Sequence, residues 1–204
     1  MSYKVALSPG SYQIKVTNPS TGEAKTQTIS VVARITENKD LTMYYGAGSS
    51  YKVRVYDDNG NVAKGVEVTF KINGKTYSRT SNSNGYASLK IDNSFSPKTY
   101  TITATYKGYK VSNKVTVKPT LICKDMTVKK STTFSYTVKL LNNKGKILKN
   151  KYVAVKFKGK TYKAKTNSKG IATFKIKVNS KLGKFTITAS YGSAKVSKKI
   201  TVKK

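Results

Sequence analysis

The chain has 204 residues, with 40 Lys and Arg against 8 Asp and Glu, so its formal net charge is +32 at pH 7. It contains no His and one Cys, which excludes His-based nucleophile pairs, imidazole zinc sites, disulfide frameworks and thiolate metal clusters. No apolar run approaches the ~18 residues of a membrane-spanning helix, and no apolar signal segment follows Met1. We therefore expect no metal, no cofactor, no membrane span and no enzyme.

Residues 1–31 contain two short segments in which apolar and polar residues alternate, Tyr12–Val16 and Ile29–Val31. They match only the last two strands of the repeat that follows, so residues 1–31 are interpreted as a partial unit. Two strands alone form at most a marginal hairpin. We expect this hairpin to be mobile, to pack against the next unit, or to pair with a sheet edge of another copy. A partial unit also suggests that the chain is a segment of a longer protein.

Residues 32–118 form the first complete unit. In Val66–Ile72, for example, apolar residues alternate with polar ones, which is typical of strands buried on one face. Asn73-Gly74 lies between two such runs and predicts a type I′ hairpin turn. Seven strands are predicted, near residues 40–44, 50–57, 66–72, 75–80, 86–91, 99–106 and 109–117.

Residues 119–204 repeat this unit 85 positions later. Gly74–Tyr77 recurs as Gly159–Tyr162, and the Asn82–Ala87 turn recurs at Asn167–Ala172. Seven short alternating strands in about 85 residues indicate an immunoglobulin-type Greek-key β-sandwich. The short Lys118-Pro119-Thr120 link restricts a hinge, so we predict an all-β chain of tandem sandwiches in an elongated arrangement.

Two details refine this prediction. The chain lacks the Cys…Trp…Cys pattern of antibody domains. Tyr12 and Tyr100 each open the sixth strand of a unit, where a tyrosine corner is expected, whereas Phe185 has no hydroxyl at the equivalent position.

Charge is concentrated in the second complete unit. Residues 1–31 carry +2, residues 32–118 carry +8 and residues 119–204 carry +22, and all 23 basic residues of the last unit are Lys. Proteins that recognise a specific nucleic-acid sequence usually contact it through Arg. We therefore expect diffuse attraction to anionic polymer rather than specific nucleic-acid binding. Residues 119–204 should bind such a polymer more strongly than residues 32–118, with an affinity that salt weakens.

Six lysines are placed by their alternation on the outward side of strands and are the predicted polyanion-binding residues: Lys156, Lys158, Lys163, Lys165, Lys175 and Lys177. Lysines on strands also protect sheet edges against unwanted pairing and keep a protein soluble. Both interpretations stay open at this point.

The turn and strand motifs resemble bacterial Ig-like repeats of the invasin and intimin type. The motifs are Asp57–Gly60, Gly65–Phe70, Asn82–Ala87 and Tyr100–Ala104. The lysine-rich version, with Met43–Val53, is most similar to the C-terminal Ig-like repeats of adhesin-like proteins of methanogenic archaea.

This resemblance implies structural and adhesive repeats of a large cell-surface protein, acting outside the cell as a stalk or wall-proximal spacer. The partner would be a cell-wall or host-surface polymer, with an anionic one favoured. The alternative is an electrostatic binding module for anionic polymer, either wall polysaccharide or nucleic acid.

Three features suggest chemistry and are weighed against structural roles. Asp57-Asp58-Asn59-Gly60-Asn61 could be a calcium loop, but its counterpart in the second unit, residues 142–146, has no carboxylate, so a turn is favoured. Some adhesins of this kind carry Lys–Asn isopeptide cross-links next to a buried acid. Here Glu67 faces outward and only Asp125 is available in the second unit, which argues against a cross-link. Cys123 is interpreted as a semi-buried residue rather than a reactive thiol.

Overall fold

The computed structural model describes residues 7–178 and 181–204, and within these ranges the chain forms strands and no helix. The strands are β1 (Gly10–Thr17), β2 (Ala24–Val31), β3 (Ile35–Thr36), β4 (Leu41–Tyr44), β5 (Ser50–Val55), β6 (Glu67–Ile72), β7 (Lys75–Thr80), β8 (Tyr86–Lys90), β9 (Thr99–Tyr106), β10 (Tyr109–Lys118), β11 (Leu121–Ile122), β12 (Met126–Lys129), β13 (Thr133–Leu140), β14 (Tyr152–Phe157), β15 (Lys160–Lys165), β16 (Ile171–Lys177), β17 (Gly183–Tyr191) and β18 (Ala194–Lys203).

The strands after β2 form two sandwiches with the same topology. The first has a five-stranded sheet in the order β4-β10-β9-β6-β7 and a three-stranded sheet in the order β3-β5-β8. The second repeats these orders as β12-β18-β17-β14-β15 and β11-β13-β16. The prediction of an all-β chain of Greek-key sandwiches is confirmed, and each of the seven strands predicted in residues 32–118 is present within a few residues of its expected position.

The two-residue strand β3 was not predicted, whereas the sequence places Leu121 and Ile122 of β11, beside Cys123, on a first strand. β3 and β11 pair with β5 and β13 respectively. Two residues are too few to show alternation, so no sequence pattern indicates β3.

The described residues cluster into two compact units. The first comprises residues 7–40, Tyr51–Leu89 and Thr101–Lys114; the second comprises Leu41–Ser50, Lys90–Tyr100 and Val115–Lys204. The repeat boundaries at 31/32 and 118/119 stay a prediction.

The core of the second sandwich lies between its two sheets. Val138, Val155, Ile187 and Ile200 are completely buried there. The ring of Phe157 meets those of Phe134 and Phe185 edge-on, with centroids 6.2 and 6.5 Å apart. Because one side of every strand is committed to this core, the other side presents its residues to solvent.

The hairpin of β1 and β2 is a two-stranded sheet. The strands are antiparallel and register Gly10 with Val31 and Thr17 with Ala24. Among the described residues, no further strand joins this sheet. The two predicted strands are therefore present, and pairing of this hairpin with another copy stays a prediction.

Candidate functional site

The largest group of like charges lies on the outward side of the sheet β12-β18-β17-β14-β15, which we call the lysine face. Strand register places eight lysines on this side, and no acidic residue of the described chain joins them. Their inward neighbours in sequence, such as Val155, Ile187 and Ile200, are buried in the core. The lysines are Lys129, Lys156, Lys163, Lys165, Lys184, Lys195, Lys199 and Lys203.

The lysine side chains are staggered across neighbouring strands. Lys156 registers with Thr161 on one side and Thr188 on the other. Lys199 registers with Thr186, whose Oγ1 accepts a hydrogen bond from the Lys199 Nζ at 2.9 Å. Four further lysines register with Ala154, Ser190, Thr201 and Tyr152.

Only Lys129 and Lys203 register directly with one another on this face. Directly opposed like charges destabilise a sheet. The stagger therefore removes most of the cross-strand repulsion that so many lysines would otherwise cause.

Asp125 is the one acid of residues 119–204, and its carboxylate is used by the backbone. Its Oδ1 accepts a hydrogen bond from the Lys199 backbone N–H at 2.7 Å. Asp40 makes the same contact to Lys114 in the first sandwich, at 2.8 Å. This backbone bond, together with a hydrogen bond from the Asn113 side-chain amide, lowers the pKa of the Asp40 carboxyl.

No side-chain ion pair forms in residues 119–204 as far as the structure describes them. The salt bridges of the described chain involve Asp58 with Arg34 and Lys107, and Glu37 with Arg54. The charge of the lysine face therefore has no acidic side-chain partner among the residues that the structure describes.

The six lysines predicted from sequence lie in three places. Lys156, Lys163 and Lys165 belong to the lysine face. Lys175 and Lys177 lie on the outward side of the other sheet, in register with Ser135 and Thr133.

Lys158 corrects the prediction, because it lies in the turn between β14 and β15 and not on a strand. Its backbone is left-handed, with φ of 47°, and its Nζ lies 4.0 Å from the centroid of the Phe185 ring. The six residues therefore do not form one surface.

Five members of the lysine face were missed from sequence: Lys129, Lys184, Lys195, Lys199 and Lys203. Each has an apolar residue next to it on its strand, which was a usable signal. What alternation does not show is the register between strands, and register is what brings these residues onto one side.

The equivalent side of the first sandwich is less charged and richer in hydroxyl groups. Register and alternation place four lysines there (Lys71, Lys110, Lys114 and Lys118) together with one acid, Glu67. Its β9 presents Thr99, Thr101, Thr103 and Thr105, and the Thr103 hydroxyl lies 2.8 Å from that of Ser112. The same fold thus carries a net +3 on this side, against +8 on the lysine face.

A shallow hollow lies at one end of the lysine face. It is lined in part by Tyr152, Ala154, Lys163, Ser190 and Gly192. Tyr152 is a large apolar residue of this hollow and is 63% exposed.

The Tyr152 ring also contacts a charge, with the Lys165 Nζ 5.1 Å from the ring centroid. This position therefore combines an exposed aromatic ring with two lysines and a hydroxyl group.

The turns of the two sandwiches are built in the same way. Asp57 Oδ1 accepts backbone N–H bonds from Asn59 and Asn61, and Asn142 Oδ1 accepts those of Lys144 and Lys146. Asp57 therefore acts as a turn residue, as predicted. No three acidic or cysteine side chains of the described residues lie close enough together to bind a metal ion.

The tyrosine corners are present where they were predicted. The Tyr100 hydroxyl donates to the Ser96 carbonyl at 2.8 Å, and the Tyr12 hydroxyl donates to the Ser8 carbonyl at the same distance. The β1–β2 hairpin thus keeps a contact that belongs to a complete unit.

Cys123 follows β11 directly and is half-buried beside Tyr136. Burial raises the pKa of its thiol, which disfavours the reactive thiolate. The Tyr136 hydroxyl donates to the Lys124 carbonyl at 3.1 Å. The semi-buried, unreactive interpretation of Cys123 agrees with this environment.

Comparison with known families gives two adjacent matches. Residues 47–120 match the bacterial Ig-like domain (group 1), and residues 120–203 match the macroglobulin domain MG4. Both complete sandwiches have an immunoglobulin-like fold. These Ig-like repeats include no helix, among the described residues, that is long and apolar enough to cross a membrane.

Solved structures with similar folds include tandem Ig domains and bacterial surface proteins. The titin I9–I11 tandem is 15% identical, with 99% of this chain and 86% of that chain covered and a TM-score of 0.41. A 1.5-MDa bacterial ice-binding adhesin is also 15% identical, with coverages of 94% and 73% and a TM-score of 0.28.

Domains 4–9 of the surface-layer protein SbsC are 16% identical, with coverages of 96% and 35% and a TM-score of 0.31. At TM-scores below 0.5, none of these likenesses assigns a role to this chain. No curated protein matches the sequence significantly.

Proposed function

We propose that these Ig-like repeats are structural and adhesive units of a large cell-surface protein, acting outside the cell as a stalk or wall-proximal spacer and not as an enzyme. The observation that carries this proposal is the parallel pairing of first and last strands within the five-stranded sheets. β4 runs parallel to β10, and β12 runs parallel to β18.

Parallel pairing makes each sandwich suited to connection in series. The first strand of the sheet runs in the same direction as the last, so the chain enters a sandwich at one end and leaves it at the opposite end. Tension applied along the chain then acts along both paired strands and loads their hydrogen bonds together. This arrangement suits a spacer that transmits force between a cell and a surface.

Sequence likeness supports the setting. The match of residues 47–120 is to a bacterial Ig-like domain. The lysine-rich strands resemble the C-terminal repeats of adhesin-like proteins of methanogenic archaea, which favours a wall-proximal position in such a protein.

The cellular location is tested by labelling intact cells of the source organism with antibodies against the purified chain. We expect labelling without permeabilisation, and loss of the signal when the cells are treated with protease from outside. Labelling that appears only after lysis would contradict a cell-surface location.

The load-bearing role is tested by pulling single molecules by their termini. The Lys130 N–H donates to the Lys203 carbonyl at 2.9 Å, next to the β12–β18 pair. Lys130→Pro removes this donor and should lower the unfolding force of one of the two sandwiches. Lys130→Ala keeps the donor and should leave the force unchanged.

The equivalent bond of the first sandwich provides a second variant. The Tyr45 N–H donates to the Lys118 carbonyl at 2.9 Å, so Tyr45→Pro should lower the other unfolding force. Unchanged forces in both proline variants would show that the parallel pairs do not bear the load.

A further inference from the structure

We propose that the lysine face is a binding surface for an acidic polysaccharide. This goes beyond the role as a spacer, which requires no ligand. The inference rests on uncompensated charge, on the hydroxyl groups between the lysines, and on the exposed ring of Tyr152.

The lysine face is positively charged. Eight lysines share one side of a sheet, and the single acid of the same repeat, Asp125, is hydrogen-bonded to the backbone. A surface of one sign attracts oppositely charged polymers and raises their local concentration. The equivalent side of the other sandwich is the internal comparison, because it has the same strand order with four lysines and one acid.

Lysines have an alternative role as protection for sheet edges. Protection is needed at β15 and β12, which are the outermost strands of this sheet. Lys156 lies on the inner strand β14 and is in register with Thr161 of β15 and with Thr188 of β17, so a paired strand lies on either side of it. Edge protection therefore does not account for Lys156.

The surface between the lysines carries hydroxyl groups. The hydroxyl groups of Thr188 and Ser197 lie 2.9 Å apart in neighbouring strands, between Lys156 on β14 and Lys199 on β18. Small side chains let a ligand approach the sheet, and hydroxyl groups both donate and accept hydrogen bonds. Sugar hydroxyl groups find suitable partners here while the ammonium groups meet carboxylates or sulfates.

A shallow hollow lies beside Tyr152. Its exposed ring offers an apolar face, with Lys163 and Lys165 next to it. Ligand sites typically combine apolar and aromatic walls with a few placed polar groups. The C–H face of a sugar ring stacks on such an aromatic surface, whereas a simple inorganic anion gains nothing from it.

Nucleic acid fits the surface less well. Residues 119–204 contain no Arg, which is the usual donor to guanine and to phosphate. Proteins that bind single strands stack successive bases on several aromatic side chains, and Tyr152 is the one aromatic residue that strand register places on this face.

The test uses the full chain and two triple variants with equal loss of charge. In the first, Lys156, Lys163 and Lys199 of the lysine face are replaced by Thr, which suits a strand. In the control, Lys139, Lys175 and Lys177 on the outward side of the other sheet are replaced by Thr. Circular dichroism establishes that both variants are folded.

Binding to heparin and to polygalacturonate is measured at rising salt, with neutral dextran and a 20-base-pair DNA duplex as comparisons. For nucleic acids, each lost contact lowers the slope of log K against log salt by about 0.7–0.9. By analogy, the lysine-face variant should lose about two units of slope and bind about 10-fold or more weakly in ~0.1 M salt. The control should bind like the parent chain.

Tyr152→Ala separates the ring contact from the charge. We expect weaker binding to polygalacturonate with an unchanged salt slope, because no charge has been removed. Equal losses in the two triple variants would show diffuse attraction with no dedicated surface, and tighter binding to the duplex than to polygalacturonate would show a different ligand class. Either result overturns this inference and leaves the labelling and pulling tests of the spacer role unaffected.

Discussion

Gly170→Ala is expected to lower the free energy of unfolding of the second sandwich by about 3 kcal/mol. Gly170 has φ of 71°, and a Cβ there would lie 2.6 Å from Ile147 Cγ2 and 3.0 Å from the Leu140 carbonyl oxygen. The left-handed backbone costs a non-glycine residue about 1–2 kcal/mol. Overpacking against neighbours that cannot easily move typically adds ~1–3 kcal/mol.

The control is Gly159→Ala in the turn between β14 and β15. Gly159 also has a left-handed backbone, with φ of 80°, but no atom lies within 4 Å of its would-be Cβ. Only the backbone cost applies, so we expect about 1 kcal/mol. Chemical denaturation followed by circular dichroism measures both variants, and equal effects would contradict the close approach at Gly170.

The first sandwich repeats this pair of environments. A Cβ at Gly85 would meet Val62 Cγ1 at 2.7 Å and the Val55 carbonyl oxygen at 2.9 Å, whereas Gly74 is open. Gly85→Ala should therefore be the more damaging substitution there too. In each unit this glycine lies at the end of the turn that begins at Asn82 or Asn167, and a side chain there would meet the preceding loop. This explains why the residue is glycine in both units.

Thr166→Val is expected to lower the free energy of unfolding by about 2 kcal/mol. Thr166 is buried, and its hydroxyl donates to the Leu148 carbonyl at 2.7 Å and accepts from the Lys151 N–H at 3.0 Å. Valine has nearly the same shape, so packing is kept while two backbone groups lose their partner. A buried polar group left without a partner costs ~1–3 kcal/mol.

Thr166→Ser is the matched control. It keeps both hydrogen bonds and removes one methyl group, which is worth about 0.8 kcal/mol when buried. Nature has made this change in the first sandwich, where Ser81 donates to the Ala63 carbonyl at 2.8 Å and accepts from the Val66 N–H at 3.1 Å. If Thr166→Ser proved more destabilising than Thr166→Val, packing and not hydrogen bonding would explain the buried hydroxyl.

Local chemistry made much of the fold predictable. Asn73-Gly74 predicts a type I′ turn because both positions need positive φ, and their φ values are 51° and 76°. The repeat then transfers this turn to Lys158-Gly159, where glycine is kept and lysine adopts φ of 47°. Alternation alone placed Lys158 on a strand, and it was wrong there because a two-residue turn interrupts the alternation.

Polar side chains that act through the backbone were harder to find. Ser81 and Thr166 occupy equivalent positions of the repeat, yet neither residue type signals burial. Asp125 was considered only as an acid for a cross-link, although its carboxylate bonds to the backbone of Lys199. Such contacts join residues 15 to 74 positions apart, so they arise only once the strands have assembled.

Sequence alone determined which residues of each strand face the core, because alternation is a local consequence of the strand backbone. It also determined the turns, since glycine and asparagine tolerate positive φ where other residues are strained. The lysine face was decided by tertiary structure. Lys129, Lys156, Lys184 and Lys203 come together only through the register and order of β12, β18, β17 and β14, and these are set by how two sheets of apolar side chains pack around one core.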